Sequence, residues 1–494
     1  MIQLEGRALL VTVTTITSLG FFLIGFDNGL MGGFVNSPQF LNTFGNPGAT
    51  MIGVFVAIYE VGAFIGSVIS SLVGESLGRR KTIATGSVIM IIGAVLQASS
   101  YSRVQLIIAR VVSGIGMGFI NSTTPVLQAE YSPKASRGIF VCMQISTLNF
   151  GIMMVYWIDF GMSNIASSAS WRIPTILQCV FLILQLILLC FIPDTSRWYA
   201  SHDRPDDALM VLQRLLRNKE SEESILALHE DILQTVAVET SLKAGTWKDI
   251  FKSDTIQSRR RFLLACGIQI MQQLSGINAV IYYANTLFES SVGFSPHMAG
   301  LMSGYLNTWF FVASFIPYFL IDRFGRRPLL MSMISLMAAA MVVQTALIYQ
   351  VQNNTSSAQQ AGAGAAAMLF VFLGAFSVGF QSTVWVYPSE ILPLRFRQRG
   401  SSISTASNWI FNYMVVQITP PSIQNIGWKT YIIWTVFNAC WVPIIYFFYP
   451  ETKGLQLEDV DRLFAKTENL ATLTLEGSEK RMEAEAEHKE VGAA

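Results

Sequence analysis

The stretch GESLGRR, residues 74–80, returns as IDRFGRR at 321–327. Each copy sets an acid and two arginines at the end of a long apolar run, and each is followed by further landmarks in the same order. Glu130-x-x-Pro133-x-x-x-Arg137 is matched by Glu390-x-x-Pro393-x-x-x-Arg397, and PDTSR at 193–197 is matched by PETKG at 450–454. A unit of about six apolar segments has been duplicated, and internal repeats of this kind underlie many membrane folds.

Composition agrees. Of the 494 residues 52% are hydrophobic and 13% charged, against about 25% charged in soluble domains. The prediction is an all-α polytopic membrane protein with twelve transmembrane helices in two six-helix halves and a cytosolic helical linker. At about 20 residues per crossing, the spans are expected near 8–33, 50–73, 82–100, 104–126, 139–160, 173–192, 262–287, 298–321, 328–350, 364–387, 401–419 and 430–449. The first run is long enough to span, so it reads as a helix rather than a cleavable signal. Arg79, Arg80, Lys81, Lys134, Arg137, Arg323, Arg326, Arg327, Arg395, Arg397 and Arg399 lie in loops after even-numbered spans, whereas the other loops carry almost no Lys or Arg. By the positive-inside rule both termini are expected in the cytosol. Glycosylation sequons at Asn353 and Asn354 fall in the predicted outer loop after span nine, in agreement.

The expected organisation is a first bundle at 1–192, a linker at 193–261, a second bundle at 262–450 and a cytosolic tail at 451–494, disordered from about Gly477. In the linker Ala208, Leu209, Val211, Leu212 and Leu215, then Ile225, Leu226, Leu228, Ile232 and Leu233, recur at helical spacing. The net charge of +1 gives no reason to expect nucleic acid. Cys142, Cys179, Cys190, Cys266 and Cys440 lie inside apolar segments and read as small core residues. His202, His229, His297 and His488 fall in loops or the tail, so neither a metal centre nor a cofactor is expected.

The motifs GESLGRR, PVLQAEYSPKASRG, PDTSRW, QQLSGINAVIYY, IDRFGRR, YPSEILPLRFR, SNWIFNY and PETKG stand in that order. Together they resemble the sugar porter family of the major facilitator superfamily, across nearly the whole chain from Gly25 to Gly454. YWIDFG and NIGWKTY look most like its fungal branch. The resemblance implies a transporter, not an enzyme, that carries a monosaccharide by rocking two six-helix bundles about a central site. It further implies a monomer in the plasma membrane, with sugar, proton and lipid bilayer as partners.

The residues themselves suit a neutral polyol. Gln272, Gln273 and Asn278 flank Ser275-Gly276, where span seven is expected to break. An amide both donates and accepts hydrogen bonds, which fits a hydroxyl-covered ring, and an aromatic face packs on its C–H side. By resemblance these three join Asn307, Trp385, Asn408 and Asn412 in the sugar site. The family's fifth-span glutamine falls at Ile145, with Gln144 beside it as the candidate. FQSTV, residues 380–384 just before Trp385, lacks the prolines that many relatives carry there, a difference expected to alter how that helix bends. The competing reading is that these amides only bond helix to helix, at about 0.6–2 kcal/mol each.

At the predicted cytosolic ends, Glu75 with Arg79 and Arg80, Asp322 with Arg326 and Arg327, Glu130 with Arg137, and Glu390 with Arg397 can form ion pairs. The resemblance implies that they latch the cytosolic side while the transporter faces outward and part when it faces inward. Read only as positive-inside anchors, they leave the repeated acid without a role.

Asp27 is the one charged residue between Ala8 and Gly33. An acid at the centre of a membrane helix costs about 2.5–3.5 kcal/mol, so such residues usually face a cavity or mark function. Counted inward from Gly33 and Val104, Asp27 and Arg110 both lie about 9 Å below the outer boundary, a depth that permits a pair. The matching residues of proton-coupled relatives are held to bind and release one proton. Two alternatives remain open: a static pair in a facilitator of downhill diffusion, and Glu60, a second acid within span two, as the titrating group or a helix-to-helix bond. A transport-inactive sugar receptor is a further reading, disfavoured by a short tail after Gly454. An embedded enzyme would need a nucleophile, metal ligands or a paired acid and base, and the sequence offers no such cluster.

Overall fold

In a bilayer only a helix or a closed barrel satisfies every backbone N–H and C=O, so long apolar runs become helices. The computed structural model describes residues 4–132, 137–217, 220–241, 257–353, 357–393 and 397–453, with 460, 463 and 464. The first half runs α1 Gly6–Phe34, α2 Ala49–Leu77, α3 Arg79–Ala98, α4 Arg103–Tyr131, α5 Arg137–Met162 and α6 Ala169–Leu189. The second runs α7 Ser258–Leu274, α8 Pro296–Ala313, α9 Arg326–Gln352, α10 Ala358–Ala375, α11 Arg397–Ile426 and α12 Lys429–Phe448. Short segments extend three of these: Ile277–Tyr282 follows α7, Pro317–Phe324 follows α8, and Ser382–Ile391 follows α10. Ten of the twelve, α7, α8 and α10 taken with these extensions, are long and apolar enough to cross a membrane, and α5 and α11, of 26 and 30 residues, take the fifth and eleventh places. Leu72, Phe319 and Phe447 are 77, 79 and 72% exposed, an outer surface suited to lipid rather than water.

The duplicated motif is a turn. Gly78 (φ +84°) and Gly325 (φ +93°) take backbone conformations that favour glycine, and α3 and α9 begin at the next residue. A helix start leaves N–H groups without intrahelical partners, and here a carboxylate from the third landmark receives them. The Arg79 and Arg80 amides donate to Asp194 Oδ1 and Oδ2 at 3.0 and 3.3 Å; those of Arg326 and Arg327 donate to Glu451 Oε1 and Oε2, both at 2.9 Å. PDTSR and PETKG are thus the caps of the helices that GRR begins.

Three helices are interrupted or continued by identifiable chemistry. α7 breaks at Gly276 (φ +87°), where an added Cβ would lie 2.6 Å from the Trp434 ring. Ahead of Trp385, α10 passes into a π-helical turn, Phe376–Gln381, so this helix is interrupted without a proline. α11, expected to stop at 419, runs through Pro420 and Pro421 to Ile426. Pro420 has no N–H for the Val416 carbonyl, and the Tyr283 hydroxyl donates to that oxygen instead, at 3.0 Å.

Between the halves lie helices Ser196–Ala200, Pro205–Leu216 and Glu222–Ser241. Ala208, Val211 and Leu212 are buried, and Val211 packs in one cluster with Leu9, Val13, Ile83 and Leu127. Arg217 pairs with Glu5, and Arg214 Nη2 donates to the Leu4 carbonyl at 3.0 Å, so Pro205–Leu216 belongs to the arginine-rich end of the first half. Cys190 and Cys440 are exposed, not core residues as expected, because they sit on outward-facing positions at the end of α6 and on α12. His229 and His297 stand in helices, in Glu222–Ser241 and in the first turn of α8, rather than in loops. Lys134, Asn354, Arg395 and most of the tail lie outside the described residues, as do the side chains of Arg137, Asp322, Arg397 and Arg399.

Candidate functional site

Arg110 of α4 and Asp27 of α1 meet with no exposure at all. Arg110 Nη1 donates to Asp27 Oδ2 at 2.8 Å and to Oδ1 at 3.1 Å. The rest of the guanidinium is turned to α2: Nε donates to the Phe55 carbonyl at 3.1 Å, Nη2 to the Val56 carbonyl at 2.9 Å, and the group lies 4.7 Å from the centre of the Tyr59 ring. α2 and α4 approach closely enough for this because Gly62 faces Gly114; a Cβ on Gly114 would lie 2.2 Å from the Tyr59 carbonyl. Removing one partner of a buried pair usually costs about 3–5 kcal/mol by stranding the other charge. Here the cation also has two carbonyls and a ring face besides the acid.

In the second half the amides form one network around the break in α7. Gln273 Nε2 donates to Asn408 Oδ1 at 2.9 Å, and Asn408 Nδ2 donates to Gln272 Oε1 at 2.9 Å and to Gln269 Oε1 at 2.6 Å. Asn278 Nδ2 donates to Gln273 Oε1 and to Asn412 Oδ1, each at 2.7 Å. Gln272, Gln273, Asn278, Asn408 and Asn412 are therefore brought together, all buried. Asn307, Gln144 and Trp385 are not joined to this network by a hydrogen bond: Asn307 donates back to the Ser303 carbonyl of its own helix, Gln144 leaves its amide nitrogen unpartnered, and Trp385 is partly exposed.

Glu60 links the two halves. Its Oε1 lies 2.5 Å from the Tyr282 hydroxyl, which also lies 2.8 Å from Asn28 Oδ1. Tyr282 has one hydrogen to give. Either Glu60 carries a proton, or the Asn28 amide turns its NH2 toward the tyrosine oxygen. Further bonds join the halves nearby: Asn36 to Thr286 at 2.6 Å, Asn285 to the Gly33 carbonyl at 3.1 Å, and Tyr156 to the Ile281 carbonyl at 2.5 Å. The end opposite the arginines is tied shut.

At the arginine-rich end the two ion pairs seen among the described landmark residues each stay within one half. Arg79 Nη2 reaches Glu130 at 2.9 Å, and Arg326 Nη2 reaches Glu390 at 3.1 Å. Glu75 is exposed and does not take the expected place beside Arg79 and Arg80, because the turn at Gly78 directs Arg79 toward the end of α4; the Glu75 backbone carbonyl accepts from Trp198 Nε1. Arg327 donates to the Tyr446 carbonyl at 2.5 Å.

A family model described as "Sugar (and other) transporter" matches residues 13–464. The chain belongs to this family. The MFS-type transporter oryC of Aspergillus oryzae is 35% identical over 93% of this chain and 86% of its own length. The sugar transporter STL1 of Saccharomyces cerevisiae is 34% identical, covering 94% and 82%, and high-affinity glucose transporter 1 of Candida albicans is 32% identical, covering 92% and 85%. Among solved structures, the major facilitator superfamily proton:xylose symporter XylE superposes with a TM-score of 0.77 at 23% identity, over 93% of this chain and all of that one. An inward-open structure of XylE from E. coli gives 0.74 at 23% identity, over 92% and 99%. At that identity the likeness is one of fold: this sugar transporter family member has the major facilitator architecture.

The transporter also holds polar residues that the sequence reading passed over. Gln269 completes the α7–α11 network. Asn149 of α5 and Gln381 of the π turn bond each other twice across the halves, at 2.9 and 3.0 Å. Asp159 of α5 is 3% exposed, with no partner for either oxygen. All four carry the signal that marked Asp27, a polar side chain inside an apolar run.

Proposed function

We propose that this transporter carries a monosaccharide, a hexose or a pentose, across the plasma membrane by alternating access, with proton symport through Asp27 and Arg110. The observation that carries the coupling is the set of contacts around Arg110. Because the Phe55 and Val56 carbonyls and the Tyr59 ring stay with the cation, Asp27 can accept a proton and lose its hold without leaving a bare buried charge. The α7–α11 amides supply the sugar site, since hydroxyls of a pyranose ring can replace bonds that the amides now make to one another. The printed names of the Candida glucose transporter and of XylE support a six- or five-carbon sugar.

The arginine-rich end is assigned to the cytosol, with both termini there, and the chain works as a monomer of two bundles, 1–192 and 262–450, joined by the linker 193–261. A sealed far end, with Arg79–Glu130 and Arg326–Glu390 each closed within one half, is what the latch reading expects of an inward-facing state. The second reading, facilitated diffusion, draws on the same contacts: four bonds and a ring face also make a stable clasp.

Uptake of labelled hexose into proteoliposomes, with and without an imposed proton gradient, separates the two. A potential of about 100 mV supplies roughly 2.3 kcal/mol per proton, enough for roughly fortyfold accumulation under tight coupling. Uptake that never exceeds equilibrium under the gradient leaves the facilitator; saturable binding with no uptake of any sugar leaves a receptor.

A further inference from the structure

We propose that Asp159 is a second proton-binding carboxyl of this transporter, one that takes its proton from the outer solution as the two halves close over it. The proposal rests on the alternating-access reading above and is independent of coupling through Asp27.

Asp159 stands one turn from the outer end of α5, 3% exposed, and neither carboxyl oxygen has a hydrogen-bond partner in the protein. It packs directly on the backbone of α1, where a Cβ added to Gly33 would lie 2.1 Å from Asp159 Oδ2. Only glycine leaves room for the acid. A carboxylate shut away from water without a donor or a cation is strongly disfavoured, whereas the neutral acid is tolerated.

The titratable groups on the elements packed against α5 are engaged elsewhere. On α1, Asp27 is held by Arg110. Tyr156, one turn below on α5, donates to the Ile281 carbonyl. On α6, Arg172 donates to the Ala98 and Ser100 carbonyls and stacks on Tyr101 and Trp171. On α8, His297 packs on Phe160 with ring centres 5.3 Å apart, and Tyr305 packs on Trp157 at 5.5 Å. On α4, Arg103 donates to the Phe44 and Gly45 carbonyls. Among the described residues none of these cations bonds Asp159.

Its position supplies the coupling to conformation. The bonds that shut the outer side surround it: Gly33 itself accepts from Asn285, Asn36 holds Thr286, and Tyr156 holds the Ile281 carbonyl. Parting these bonds lets water reach Asp159 and favours its ionised form. The closed state therefore binds one proton more than the open state, and by linkage the closed population falls as the pH rises. Asp27 differs in kind, since its charge is neutralised by Arg110 in the closed state.

The test uses the full chain in lipid nanodiscs, with the five cysteines replaced by alanine and spin labels on Asn42→Cys and Ser290→Cys, exposed positions on the outer side of the two halves. Electron–electron distances report the open and closed populations without sugar or a gradient. From about pH 5 to about pH 8 the ratio of closed to open is expected to fall by about fivefold or more, while Asp159→Asn stays closed throughout. Asp27→Asn keeps the shift. Gly33→Ala, which displaces the acid, favours the open distance at every pH and serves if Asp159→Asn does not fold. An unchanged shift in Asp159→Asn, or closed distances in Gly33→Ala identical to wild type, overturns the proposal. Closure driven by sodium at fixed pH and lost in Asp159→Asn also overturns it, in favour of a metal cation. Gradient-driven accumulation, measured separately, succeeds or fails without deciding this test.

Discussion

The two halves agree at their arginine-rich ends and differ in their middles. At the ends, Gly78 and Gly325 turn the chain, Asp194 and Glu451 cap the helices that follow, and Glu130 and Glu390 receive the arginines, residue for residue. In the middle, the first half holds a buried charge pair and the second holds uncharged amides. The repeat is kept at the ends and lost at the centre: a charge pair in one half, and in the other the amides that the proposed function assigns to the sugar.

That division can be broken most sharply at Asp27. Asp27→Asn should abolish the roughly fortyfold accumulation driven by about 100 mV while leaving the KM for sugar exchange within about twofold. Asn408→Ala, in the other half, should do the reverse. Losing a buried partner shared by Gln269, Gln272 and Gln273 costs about 1–3 kcal/mol, a rise in KM of about fivefold to about a hundredfold, with the accumulation ratio at saturating sugar unchanged. If either variant shows the other's behaviour, the halves do not divide the work. Tyr282→Phe removes the bond from Glu60 across the halves and should shift the population toward the outward-facing state by about threefold to tenfold, read by the same spin labels. The smallest effects belong to the shared ends. Asp194→Ala and Glu451→Ala should each lower stability by about 1–2 kcal/mol, seen as similar falls in Tm, with uptake per folded molecule retained.

Much of the fold was legible because the signals were local. Long apolar runs gave the spans, and Ser275-Gly276 marked the break that the structure places at Gly276. The paired landmarks were visible too, but their use was not. That Asp194 would receive the amides of Arg79 and Arg80 depends on a contact between residues over 110 positions apart, and nothing in PDTSR states it. Glu75 shows the opposite error: it neighbours the arginines in sequence and points elsewhere in space, because a left-handed glycine intervenes. Of the candidate site, the QQLSGIN amides and their partners on α11 assemble as a cluster, whereas Asn307, Gln144 and Trp385 stand apart from it. The continuation of α11 past two prolines draws on the Tyr283 hydroxyl, from the turn that follows Ile277–Tyr282, which no reading of α11 alone supplies.

The caps have a mechanical side. Asp194 belongs to the segment by which the chain leaves α6, yet it grips the first turn of α3; Glu451 follows α12 and grips α9 in the same way. A strand of rope whose free end is tucked under its own third loop cannot pay out one coil at a time. A pull arriving through the linker would meet that fastening first and load the start of α3 together with the end of α6.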